Sequence, residues 1–383
     1  MTRPIYLDHH ATTPIDKRVL AEMLPFFKEK FGNSSSTDHF YGNQALRAVN
    51  DARTKVAALI GAEPEEIIFT SGATESDNLA LFGVAQQYRS KGNHIITCVT
   101  EHKAVLDSCK RLEQTGYRVT YLGVSKQGEV SLEALSNAIT KETILISLMA
   151  ANNEIGITAP LAEIGKIAHS HGVLFHTDAA QAFGHIPLDV RSMNIDLMSI
   201  SGHKIYAPKG VGALYVRRKD PLVKITPLLY GGGHEKGLRS GTLNVPAIVG
   251  LGKAAEVAKS EMAREQQRLK KLAQRLREGI SKNVAIEVNG GTDHRLAHNL
   301  NLFFEGVDAK ALINEVKERV SISAGSACTT NEVKPSYVII ALGYGEDRAY
   351  SSVRFGLGRF TTQEEIDKTV EVITRAALKI RNL

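Results

Sequence analysis

Short apolar runs alternate with segments of helical period through the first half of the chain, and this rhythm limits the fold more than any other feature. The runs are "EIIFT", "HIITCVT", "TILISLMA" and "VLFHTDAA"; between them lie "ESDNLALFGVAQQYRS", "AVLDSCKRLEQTG" and "LAEIGKIAHSHG". Brief apolar strands separated by amphipathic helices predict βαβ units and a mostly parallel sheet. "IDLMSIS" and "GVGALYVRR" follow one another without a long helix, which predicts that antiparallel pairing enters the sheet there. Past Gly250 the pattern changes to a long basic helical segment, the strand "HNLNLFF", the helix "KALINEVKE" and a closing helix after "TTQEEID". The expected fold is therefore α/β. A large domain over residues 16–250 carries the mostly parallel sheet, and residues 1–15 with 251–383 form a smaller α+β domain.

A chain of 383 residues with 43% hydrophobic content can bury two cores around a cleft, the setting for small-molecule chemistry. Its net charge of +6 comes from 47 basic against 41 acidic residues spread along the chain, so no nucleic-acid partner is expected. The most basic stretch, "AREQQRLKKLAQRLREG", keeps Leu269, Leu272 and Leu276 at helical spacing and reads as a helix with a solvated charged face. Three scattered cysteines are too few for a disulfide framework and favour a reducing compartment. The start lacks the pattern of a signal peptide, and no segment is long and apolar enough to span a bilayer. The expectation is a soluble, cytoplasmic protein.

In an open α/β sheet the chemistry gathers at the carboxyl ends of the strands, and three unusual features fall there. "FTSGATES" runs from a strand into a helix through Ser71, Gly72, Ala73 and Thr74, offering free amide N–H groups and a positive helix terminus to an anion such as phosphate. Read alone, it is also an ordinary N-cap. "LFHTDAAQAFG" ends an apolar strand on Asp178, a costly place for a carboxylate unless it meets a cation such as a pyridinium nitrogen. Its bland alternative is a cap for the following turn. In "SISGHKIYAPKG", Lys204 follows Ser201 and His203 at the same sheet edge, where an amine can serve as a Schiff-base nucleophile. Phosphate cup, pyridinium partner and amine together describe a site for pyridoxal 5′-phosphate.

"TSGATES", "TEHKAV", "NNEIG", "HTDAAQ", "SGHKIYAPKG", "GGGHEKGLRSGT", "AGSACTT" and "SSVRFGLGRF", in this order, resemble the cysteine desulfurases of the NifS/IscS type. These are fold-type-I pyridoxal phosphate enzymes related to class V aminotransferases, and the resemblance covers nearly the whole chain. It implies that Lys204 forms the Schiff-base link, that Asp178 meets the pyridine nitrogen and that His102 stacks on the ring. It places Gln181 on the phenolic oxygen and Asn153 beside cofactor and substrate. Ala73, Thr74, Ser201 and His203 would hold the phosphate, joined by Thr242 from a neighbouring subunit of a homodimer. Arg354 would grip the substrate carboxylate with its guanidinium fork; Arg359 reads as structural.

Cys328 is the expected sulfur acceptor, in a stretch whose small and polar neighbours, "SISAGSACTTNEVKPS", suit a mobile loop. Cys98 and Cys109 read as strand and helix positions without chemistry. The implied reaction removes sulfur from L-cysteine, leaves L-alanine and forms a persulfide on Cys328 for a protein acceptor, such as an iron–sulfur scaffold. Lys204 and His102 are its implied acid/base groups. No resident metal is expected, although Cys328 could ligate an iron–sulfur cluster transiently.

Two features depart from the family pattern: "FGNSSSTDHF" lacks the usual Asn-Pro after Phe-Gly, and the chain stops at "ALKIRNL", which leaves scaffold docking and the sulfur's route open. A selenocysteine lyase or an ordinary aminotransferase would share Lys204 and Asp178, but an aminotransferase has no use for Cys328. A metal-binding role for the histidines of "DHH", "HSHG" and "LFHTD" lacks the local ligand pairs of a closed zinc site.

Overall fold

The computed structural model describes residues 3–325 and 335–382 of the chain. In chain order the strands are β1 (Ile5–Tyr6), β2 (Ile67–Thr70), β3 (His94–Cys98), β4 (Arg118–Leu122), β5 (Thr143–Ser147) and β6 (Leu174–Asp178). β7 (Leu197–Ser201), β8 (Gly212–Val216), β9 (Ile286–Val288), β10 (Asn299–Phe304), β11 (Val320–Ser321) and β12 (Ser352–Gly356) follow. Seven of them form one sheet in the order β2-β8-β7-β6-β5-β3-β4. β7, β6, β5, β3 and β4 pair in parallel, and β8 runs antiparallel between β7 and β2. The antiparallel entry expected around "IDLMSIS" and "GVGALYVRR" is this β7–β8 pair. Because β2 is reversed twice across β8, its carboxyl end lies on the same edge as those of the parallel strands.

β2, β3, β5, β7 and β8 are buried along their whole length because both faces are covered. Alternate residues enter opposite layers: Ile95, Leu145 and Leu197 pack in one, Ile96, Ile146 and Met198 in the other. The first layer is closed by the helices Ala73–Gln87 and Lys103–Glu113, which contribute Leu79, Val84, Val105 and Leu112.

A separate core forms around the three-stranded sheet β12-β10-β9 and the helices Ala309–Val316 and Gln363–Arg381. Leu7 belongs to it, and β1 pairs in parallel with β11, so the start of the chain is built into this second core. One helix of 37 residues, Val245–Ser281, serves both cores. Val245, Ile248 and Leu251 pack against the large sheet, whereas Leu269, Leu272, Leu276 and Ile280 pack in the second core. At 1.5 Å per residue it is roughly 55 Å long. Among the described residues no helix is long and apolar enough to cross a membrane.

Candidate active site

A cavity of about 370 Å³ opens at the carboxyl ends of β2, β3, β5, β6 and β7. The turn after β2 supplies Ser71–Glu75, the loops after β3 and β5 supply His102 and Asn153, β6 ends in Asp178 and leads to Gln181, and β7 ends in Ser201 followed by His203 and Lys204. Arg354 arrives from β12 of the second core. Every site residue anticipated from the sequence except Cys328 and Thr242 therefore lines one cavity. Cys328 lies outside the described residues. Thr242 sits exposed in the turn before the long helix, away from the cavity wall.

The corner offered to an anion by residues 71–75 follows from the backbone. Helix Ala73–Gln87 has Gly72 as its N-cap, at φ 155° and ψ 178°, with no side-chain cap. Only glycine adopts this conformation readily, and it carries no side chain to occupy the first-turn amides. The ordinary N-cap reading is thus replaced by an open helix terminus facing the cavity. Glu75 is held aside: its Oε2 accepts from the Ser71 amide at 2.8 Å, and its Oε1 accepts from Arg239 Nε at 2.8 Å.

Asp178 caps the following turn, its Oδ1 accepting from the Ala180 amide at 2.8 Å, and also reaches the cavity. Three carboxyls, Asp77, Glu101 and Asp178, are buried in this region, and burial pushes all three above the usual carboxylate range. Repulsion from Asp178 pushes Asp77 and Glu101 higher still, whereas His102 and Lys204 pull Asp178 back down. Of the three, Asp178 is the one its surroundings favour as the anion. His102 caps helix Lys103–Glu113, its Nδ1 accepting from the Ala104 amide at 3.1 Å, so a neutral ring carries its proton on Nε2. Burial and the neighbouring Lys204 and Lys209 lower His203 to about 4, leaving it neutral near pH 7.

Lys204 Nζ donates to the backbone carbonyls of His10 and, at 2.9 Å, of Ala11. Arg354 Nη2 donates to Asp8 Oδ1 at 2.8 Å and Nη1 to the Asn153 carbonyl at 2.9 Å. The N-terminal segment thus closes one side of the site; Asp8 and Ala11 were not among the residues the sequence singled out, and His10 was weighed only as a metal ligand. Their only local signal is "LDHHA" after a two-residue strand, which gives no hint of a partner some 190 residues away in Lys204.

Cys98 and Cys109 are buried free thiols, and burial pushes them to about 11 and about 12, far from thiolate character at neutral pH. The histidines weighed as metal ligands have other partners: His169 meets Asp196, His176 lies between Ser147 and Ser199, and His10 meets Gln181. Among the described residues no group of three or more metal-ligating side chains is arranged around a common point.

The donor set fits pyridoxal 5′-phosphate. An open helix terminus with Ser201 and neutral His203 suits a phosphate, and a buried carboxyl near His102 and Lys204, which burial alone leaves short of a cation, suits a pyridinium nitrogen. Asn153 Oδ1 is buried without a partner among the described residues, a polar atom that a ligand would satisfy. A lysine, a buried aspartate and an open helix terminus on this sheet edge define a pyridoxal phosphate enzyme of fold type I.

The aminotransferase class-V family profile matches residues 5–369. Cysteine desulfurase IscS of Rickettsia akari (strain Hartford) is 54% identical over 384 residues, covering 100% of this chain and 93% of that one. Among solved structures, a NifS-like protein superposes with a TM-score of 0.91 at 36% identity, covering 100% of both chains. SspA in complex with cysteine superposes with a TM-score of 0.82 at 39% identity, over 94% of this chain and 100% of that one. The chain belongs to the class-V aminotransferase family, among the cysteine desulfurases of the NifS/IscS type. The cofactor of this family is pyridoxal 5′-phosphate.

Proposed function

We propose that the chain takes sulfur from L-cysteine, releases L-alanine and receives the sulfur on Cys328 as a persulfide. The observation that carries this reading is the convergence of Lys204, Asp178, His102, Asn153 and Arg354 on one cavity. The names of the relatives and the cysteine complex of SspA support the choice of substrate.

When bound, pyridoxal phosphate supplies an electron sink for charge developing at the substrate carbons. The chain does the rest. Lys204 anchors the cofactor and, once released, moves the proton at the substrate Cα. Asp178 keeps a proton on the ring nitrogen, Gln181 donates to the phenolic oxygen, and Ala73, Thr74, Ser201 and His203 hold the phosphate. Arg354 binds the substrate carboxylate beside Asn153, and His102 serves proton transfer near the substrate sulfur. The Cys328 thiolate attacks that sulfur; the sulfur–Cβ bond breaks with its electron pair left on carbon, and Cβ takes up a proton. The described residues flanking Cys328 support this role. Ser323 Oγ donates to Asp8 Oδ2 at 2.9 Å, and Ser336 Oγ donates to Glu154 Oε2 at 2.5 Å, next to Asn153.

Residues 16–250 act as the cofactor-holding unit, and residues 1–15 with 251–383 as the unit that presents Cys328. The working form is a homodimer in which Thr242 reaches the partner subunit's phosphate site; exposed Leu228, Leu229 and Tyr230, shortly before Thr242, supply apolar surface for that contact. A protein acceptor, such as an iron–sulfur scaffold, takes the persulfide sulfur in the cytoplasm.

Mass spectrometry after L-cysteine addition tests the reading. The peptide containing Cys328 is expected to gain one sulfur atom, removable by a thiol reductant. Cys328→Ser is expected to keep the yellow cofactor band and lose alanine formation by orders of magnitude, because a hydroxyl is far less ionised than a thiol. Sulfur on Cys98 or Cys109, or full alanine production by the serine variant, would overturn it.

A further inference from the structure

Residue 10 meets two of the groups that the proposed function assigns to the cofactor. Its carbonyl accepts from Lys204 Nζ, and also from Gln181 Nε2 at 3.1 Å. Its ring Nδ1 lies 2.9 Å from Gln181 Oε1. These contacts fix both the amide and the imidazole. With Nε2 of Gln181 donating to a carbonyl, Oε1 must face the ring, so Nδ1 of His10 carries the proton and donates. His10 Nε2 is buried and has no partner among the described residues.

The surroundings keep this ring neutral. It is stacked on His298, with centroids 4.6 Å apart and planes at 21°, and His298 in turn meets His185 at 4.2 Å. Burial, together with the nearby Arg354, Lys204 and His185, holds His10 well below the ordinary histidine range, and His298 is lowered by burial and by His185, His10 and His9. A neutral ring with its proton on Nδ1 offers Gln181 Oε1 a donor that does not change near neutral pH.

An amide nitrogen has two hydrogens, and the His10 carbonyl uses one. We propose that His10 is a positioning residue that clamps the Gln181 amide at both ends, leaving its second N–H for the phenolic oxygen of the cofactor. The inference rests on the reading of this cavity as the pyridoxal phosphate site. Without the clamp the amide can turn its oxygen toward that phenolic oxygen, replacing attraction by repulsion. A donor at the phenolic oxygen stabilises its anion, so losing it raises the proton affinity of the conjugated system.

Two substitutions separate this role from ring stacking. His10→Phe keeps a ring against His298 but removes the donor; His10→Asn removes the ring but keeps an amide N–H near the position of Nδ1. The readouts are the pH at which the visible cofactor band changes and the retention of cofactor on dialysis. His10→Phe is expected to move the spectral transition upward by about 0.5–1 pH unit, the size of one ordinary hydrogen bond, and to lose cofactor faster. His10→Asn is expected to titrate close to wild type. In a Gln181→Met background, which has no amide to clamp, His10→Phe should add no further shift. Circular dichroism checks folding, and His10→Leu replaces the phenylalanine variant with the same expected outcomes if that variant overpacks. A His10→Phe protein that titrates like wild type, or a His10→Asn protein shifted as far as His10→Phe, would overturn the clamp. A wild-type protein that gains no visible band from pyridoxal phosphate would instead refute the cofactor reading itself.

Discussion

Arg354 heads the largest fully buried side chains, at 1% exposure, and a cation so placed is tolerated only because acceptors meet it. Asp8 and the Asn153 carbonyl do so, while Nε has no partner among the described residues. The guanidinium is therefore held in place before any substrate arrives, with donor capacity left over for a carboxylate. Arg354→Ala removes the binding group and leaves Asp8 without its cation. The expected loss is about 2–5 kcal/mol in kcat/KM for cysteine, carried mostly by a higher KM. Arg354→Lys, which keeps the charge but not the fork, is expected to fall between wild type and alanine. Alanine formation measured against cysteine concentration checks both, and an unchanged concentration dependence would refute the assignment. The arginine was readable in "SSVRFGLGRF", but its partner Asp8 was not. The two are separated by almost the whole chain, and only the pairing of β1 with β11 and the bridge between Asp8 and Gly356 bring them together.

At the scale of elements, the corner proposed to hold the phosphate depends on backbones passing at close range. Gly212 opens β8 between the Ser71–Thr74 turn and the end of β7; a Cβ there would press on the Ile200 carbonyl oxygen and lie 2.6 Å from Gly72 Cα and 2.8 Å from Gly72 C. All three atoms are backbone and cannot swing away as a side-chain tip could. Gly212→Ala must therefore displace the turn that aims the helix amides, the end of β7 that carries Ser201, or both. We expect overpacking to cost about 1–3 kcal/mol of stability, and cofactor affinity to fall at least about tenfold, since anion binding at a helix terminus depends on aim. Fluorescence titration of the apoprotein with pyridoxal phosphate measures the second effect, and unaltered affinity would mean that the turn is not the phosphate cradle. Sequence reading found the turn itself, because "TSGAT" between an apolar strand and a helix is a local pattern. It did not find Gly212, whose constraint comes from a strand pairing across the sheet between β2 and β8. The same contrast holds for strand order: the parallel rhythm and the β7–β8 reversal were legible, but the insertion of β8 between β7 and β2 depends on which edges meet in space.

At the scale of the whole molecule, the site is shared between two cores. The residues proposed to hold the cofactor lie at the edge of the large sheet, while Arg354 belongs to β12 in the second core. The change of pattern after Gly250 was visible in the sequence, but the helix runs through it without a break, from Val245 in the first core to Ile280 in the second. A continuous helix resists bending because each turn is tied by its own hydrogen bonds, so together with the Arg354–Asn153 contact it helps hold β12 against the sheet edge. Ala263 lies exposed between the two buried stretches, where a substitution alters the backbone and little else. Ala263→Pro removes one helical hydrogen bond and forces a kink, at a cost of about 3 kcal/mol, whereas Ala263→Gly costs about 1 kcal/mol without a steric clash. The proline variant is expected to keep its cofactor band and most of its cofactor affinity, because the proposed cofactor contacts lie on the large sheet and only the His10 clamp on Gln181 comes from the N-terminal segment. Its KM for cysteine is expected to rise, because Arg354 moves with the second core. The glycine variant serves as the control for stability alone and is expected to keep a KM near wild type. Parallel loss of cofactor affinity and cysteine binding in the proline variant would instead mean that the helix supports one undivided site.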